Sequence, residues 1–132
     1  MKSNESAENY LETILILSQK KPVVRGVDIA EELGFKKSSV SVAMKNLREK
    51  DQIYVTPEGY IYLTDDGKHI AEMIYERHQL ISSGLMMLGV SKETAIEDAC
   101  RIEHVISAES FEAIKRHLHL SSAPDPQVSD TK

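Results

Sequence analysis

The chain has no tryptophan and only two phenylalanines, Phe35 and Phe111, so any core it forms is largely aliphatic. A single cysteine, Cys100, cannot close a disulfide within the chain, and no apolar run of signal-peptide type stands at the N-terminus. A reducing cytoplasm is therefore the expected compartment. No stretch reaches the ~18 uninterrupted apolar residues of a membrane span, since the apolar segment Leu80 to Val90 is broken by Ser82, Ser83, Gly84 and Gly89. A soluble protein with no membrane partner is expected. No internal repeat is visible. Two of the four prolines, Pro124 and Pro126, fall in a tail, Ser121 to Lys132, that has no aliphatic cluster and is expected to be disordered. What is present is a soluble balance of 41% hydrophobic and 28% charged residues over 132 positions, enough for one compact domain or two small ones.

A net charge of −5 speaks against indiscriminate nucleic-acid binding, but the charge is unevenly spread. From Lys20 to Lys50 eight basic residues face four acidic ones, leaving the remainder strongly acidic. Along the chain, Tyr10, Leu11, Ile14, Leu15 and Leu17 mark a first helix over Ser6 to Ser18 with Ser6 as its cap. A short second helix from Asp28 stops at Gly34, and Ser38 caps a third that runs to about Lys50 with Val40, Ala43, Met44 and Leu47 on one face. Ile53 to Val55 and Tyr60 to Leu63, split by Thr56-Pro57-Glu58-Gly59, read as a two-stranded wing. Thr64 or Asp65 then caps a long helix to about Leu88, followed by capped helices over Ser91 to Ile106 and Ser107 to about Leu120. The pattern predicts a mainly α chain: a winged helix-turn-helix over residues 1–70, a helical domain over 71–120 and a tail over 121–132.

A helix-turn-helix lays its second helix in the major groove, where residues near the N-terminus meet base edges and phosphates. Here those residues are Lys36, Lys37, Ser38, Ser39, Ser41 and Lys45. Two lysines at a helix N-terminus oppose the helix dipole, so their placement favours phosphate contact over folding. In the helical half, Cys100, Glu103 and His104 have i, i+3, i+4 spacing, which on a helix gathers a thiolate, a carboxylate and an imidazole on one face. Such a set binds a first-row divalent ion when other elements add ligands. Glu12 and Asn9, spaced i, i+3 on the first helix, and His78 on the long helix are the candidates. Read from spacing alone, the same residues are equally a small buried thiol beside a surface Glu–His pair. His69, His117 and His119 read as solvated.

The segments Ala7-Glu8-Asn9-Tyr10-Leu11-Glu12, Val27-Asp28-Ile29-Ala30, Ser38-Ser39-Val40-Ser41, Leu63-Thr64-Asp65-Asp66-Gly67, Arg77-His78 and Ala99 to Ser107 resemble the diphtheria-toxin-repressor family of bacterial metalloregulators, in its short form without the SH3-like third domain. The resemblance implies a homodimer and a divalent metal that fits the recognition helices to palindromic operator DNA, repressing metal-homeostasis genes. It assigns metal contact to Glu12, Cys100, Glu103 and His104, gives His78 a second or shared site, and puts Asn9 where relatives offer a ligand side chain. Cys100 resembles the iron-sensing branch and Glu12 the manganese branch. A thiolate favours Fe(II) over Mn(II), so Fe(II) is the expected ion with Mn(II) next. The alternative is a winged-helix regulator that answers to an organic ligand or to oxidation of Cys100. Cys100 and His104 as nucleophile and base lack an oxyanion loop and an orienting partner, so no enzyme is expected.

Overall fold

The computed structural model describes residues 2–122, with side chains described for residues 6–118. The described elements are α1 (Lys2–Lys20), α2 (Gly26–Leu33), α3 (Lys37–Glu49), β1 (Ile53–Val55), β2 (Ile61–Leu63), α4 (Asp65–Met87), α5 (Lys92–Ile102) and α6 (Ala108–Ser122). They divide into two compact units, Met1–Tyr75 and Glu76–Lys132. The division falls later than the boundary at residue 70 read from sequence because the first turns of α4 serve the first core: Ala71 is buried in it, and Ile70 and Tyr75 pack against it.

In the first unit Tyr10, Leu11, Ile14, Leu15 and Leu17 of α1 are all buried, as their helical spacing predicts. The helix begins at Lys2 rather than at Ser6, so Ser6 is an interior residue and not a cap. α2 ends where Gly34 adopts φ 70, and the Gly34 and Phe35 amides both donate to the Ala30 carbonyl at 2.8 and 3.1 Å. Left-handed backbone at a helix end suits glycine, which has no Cβ to crowd. α3 starts one residue before the expected cap: Lys36 is the N-cap, no side chain caps the helix, and Ser38 lies inside it. Val40, Met44 and Leu47 are buried, completing the core with Val24, Ile29, Ile53 and Ile61.

The wing strands are antiparallel, with Ile53 opposite Leu63, Tyr54 opposite Tyr62 and Val55 opposite Ile61. Period two turns Ile53 and Ile61 inward, while Tyr54 and Tyr62 stack outside with ring centroids 5.3 Å apart. Thr64 closes the wing and opens α4. Its hydroxyl donates to the Asp51 carbonyl at 2.7 Å and accepts from the Gly67 amide at 3.2 Å. Gly67 is obligatory for contact rather than conformation, since a Cβ there would stand 1.9 Å from the Gln52 carbonyl oxygen.

In the second unit Ser91 caps α5 by accepting from the Thr94 amide at 3.3 Å, and Ser107 caps α6 by accepting from the Ser110 amide at 3.0 Å. α5 ends at Ile102, short of the expected Ile106, and Glu103 is its C-cap. Arg77 of α4 explains the early stop. Its guanidinium lies over the Phe111 ring at 5.5 Å and donates to the carbonyl of the C-cap Glu103 at 3.1 Å, an acceptor that a helix end leaves open, and to that of Ile106 in the following turn at 3.2 Å. Lys115 reaches Glu76 at 2.7 Å, and that hydrogen bond and charge raise the ammonium pKa above the ordinary lysine value. Of the tail expected to be disordered, Ser121 and Ser122 belong to α6, and residues 123–132 lie outside the described residues.

Candidate DNA-reading surface and metal centre

The first unit presents Lys36, Lys37, Ser38, Ser39, Ser41 and Lys45 all exposed, on the first nine residues of α3 and the residue before it. The structure adds a residue that the sequence reading left out. Lys37, Ser41, Lys45 and Arg48 recur at helical spacing and line a hollow of about 380 Å³ that also includes Gly26 and Gly59. Three cations around a concavity between the helix and the wing are suited to backbone phosphate. The stripe at 37, 41, 45 and 48 was visible as periodicity; the hollow was not, because the hairpin forms one wall.

In the second unit His78, Cys100 and Glu103 each turn a donor atom into one region, within 4.8 Å of one another. His78 Nδ1 lies 2.9 Å from Glu103 Oε1 and 3.9 Å from Cys100 Sγ. The second carboxylate oxygen, Oε2, lies 3.2 Å from His104 Nε2. Glu103 is 1% exposed, and a buried carboxylate is tolerable only with such partners. Because α5 stops at Ile102, Cys100 is helical while Glu103 and His104 sit in the turn beyond. The expected single helical face is therefore a helix end plus turn, held by Arg77.

The chemistry of the donor set fits a divalent transition ion. Imidazole, thiolate and carboxylate all ligate such ions at about 2.0 to 2.3 Å, so two ligands of one ion stand about 3 to 4 Å apart. The contacts of 2.9 and 3.9 Å lie in that band. A His–Glu ion pair explains the first contact alone; the sulfur beside the same nitrogen distinguishes the cluster from a pair. Glu12 and Asn9 belong to α1 in the first unit, where Glu12 is buried and Asn9 half-buried. His69 and His117 are exposed, and the side chain of His119 is outside the described set.

Fold and surface thus define a winged-helix DNA-binding protein with transition-metal donors in its helical half. Comparison with known proteins specifies the family. Residues 2–61 match the profile "Iron dependent repressor, N-terminal DNA binding domain", and residues 64–127 match "Iron dependent repressor, metal binding and dimerisation domain". The transcriptional regulator MntR of Escherichia coli O6:H1 is 34% identical over 111 residues, 84% of this chain and 72% of that protein. MntR of Bacillus subtilis is 34% identical over 129 residues, 96% and 89% of the two chains. The manganese regulator SloR superposes with a TM-score of 0.77 at 28% identity over 86% of this chain, and a manganese-dependent transcriptional repressor with 0.78 at 26% over 85%. This chain spans about half of each of those structures, 53% and 52%. The chain belongs to the diphtheria-toxin-repressor family of metal-dependent transcriptional repressors. Its relatives are regulators, not enzymes. No helix among the described residues is long and apolar enough to cross a membrane.

Proposed function

We propose that this chain is a repressor whose operator affinity is raised by a divalent ion held by Cys100, Glu103, His78 and His104, with Glu12 and, more weakly, the amide of Asn9 as ligands from α1. The observation that carries the reading is the convergence of three different donors, His78 Nδ1, Cys100 Sγ and Glu103 Oε1. Glu103 engages one imidazole with each oxygen, which suits it to bridge two ions. A bound ion supplies positive charge against the carboxylates and thiolate. Glu103 and His104 orient the site through the turn that Arg77 holds, and Glu12 lies on a helix that contacts α3 in the first unit. A coupling of about 1 to 3 kcal/mol, about 5- to 150-fold in affinity, suffices for control.

Fe(II) is the proposed ion because a thiolate discriminates against Mn(II). Mn(II) is the second reading, favoured by similar structures described as a manganese regulator and a manganese-dependent repressor. A homodimer would use the apolar hollow formed by Leu80, Leu85, Leu88, Ile114 and Leu118 and read a palindromic operator with half-sites about one helical turn apart. Co(II) substitution under anaerobic conditions tests the ligand set. A thiolate-to-metal charge-transfer band that disappears in Cys100→Ser is expected; a spectrum unchanged by that substitution removes Cys100 from the site. Anaerobic titration of Fe(II), Mn(II) and Zn(II) against operator binding then decides the activating ion.

A further inference from the structure

Val42 occupies an unusual place on α3. At about 100° per residue, it lies opposite the buried line of Val40, Met44 and Leu47. It is 60% exposed, the most open of the large hydrophobic side chains in the first unit. A β-branched residue on a solvated helix face lowers helix propensity relative to alanine or lysine, and here no burial compensates. Its neighbours on that face are Ser38 and Ser39 one turn before and Lys45 and Asn46 one turn after, all exposed and polar. To one side runs the cationic stripe of Lys37, Lys45 and Arg48 beside the wing. With those cations on a phosphate strand, Val42, on the face turned away from the core, would stand towards the groove floor. Among base edges of the major groove, the thymine 5-methyl is the one apolar group presented.

We propose that Val42 is a specificity residue that contacts the 5-methyl of a thymine in each operator half-site. The proposal rests on α3 being the recognition helix. A duplex selected from a randomised pool by the protein in excess Fe(II) under anaerobic conditions serves as probe, and each thymine in it is replaced singly by deoxyuridine, which lacks only the methyl. Wild type is expected to lose about fourfold in affinity at one thymine per half-site, whereas Val42→Ser loses nothing on the same replacement. Serine and valine have similar helix propensity, so the fold is kept. Equal losses in both proteins at every thymine, or no loss in wild type at any, overturn the proposal. Lys45→Glu separates the two levels. If it abolishes binding while Val42→Ser still responds to deoxyuridine as wild type does, only the role of Val42 falls; if it binds like wild type, α3 is not the reading helix and both fall.

Discussion

At the scale of single residues, Glu103 is the position on which most depends: a carboxylate with 1% exposure whose two oxygens each meet an imidazole. Glu103→Gln keeps the shape and removes the charge. Since loss of an outer-shell partner already costs about 10- to 100-fold in metal affinity, this change is expected to cost at least about 100-fold, read by anaerobic calorimetry with Fe(II); a loss under tenfold removes Glu103 from the ligand set. Arg77 touches no proposed donor atom but holds the backbone of the turn that carries two of them. Arg77→Met is expected to lower metal affinity about 10- to 100-fold and to destabilise the apo-protein by about 1.5 to 3 kcal/mol in urea unfolding. Arg77→Lys should restore little, because an ammonium lacks the flat guanidinium that lies over the Phe111 ring while one of its nitrogens, Nη1, donates to both carbonyls. Full recovery by lysine would reduce Arg77 to a point charge.

Among the elements, the junction of wing and α4 leaves no room for a side chain at Gly67. A Cβ at Gly67 would stand 1.9 Å from a backbone oxygen, so Gly67→Ala must shift β1 or the helix, and a net loss of about 1 to 3 kcal/mol is expected despite alanine's better helix propensity. A raised melting temperature would contradict the geometry. Elements of this kind were legible in part. The apolar spacing of α1 and α3, the stop at Gly34, the hairpin and the caps at Thr64, Ser91 and Ser107 follow from local chemistry, and each is where the sequence puts it. The starts of α1 and α3 and the end of α5 were not legible. Cys100-Arg101-Ile102-Glu103-His104-Val105 contains no glycine or proline to halt a helix; the stop depends on Arg77, 26 residues earlier, donating to Glu103. Arg48 escaped for a similar reason, since its hollow exists only once the hairpin has folded beside α3. His78 was a candidate ligand in sequence, but which donors it meets was not legible: its contacts with Glu103 and Cys100 required the tertiary fold.

Over the whole molecule, charge is unevenly spread: an acidic chain of net −5 carries eight of its 16 basic residues between Lys20 and Lys50, the segment that includes α3. Operator binding should therefore weaken with salt, and replacing Lys37, Lys45 or Arg48 by alanine should each reduce the slope of log K against log salt by about 0.9. An unchanged slope for all three would place the DNA elsewhere. Metal control requires a link between the two units, from the donor cluster of His78, Cys100 and Glu103 in the second to the proposed reading surface of α3 in the first. The direct measurement is operator affinity under anaerobic conditions, with Fe(II) or with chelator, for wild type and Glu103→Gln. Metal control predicts a gain of about 5- to 150-fold with metal in wild type and little or none in Glu103→Gln, the two proteins agreeing in chelator. Equal affinity of wild type with metal and with chelator, or an undiminished metal response in Glu103→Gln, would contradict it.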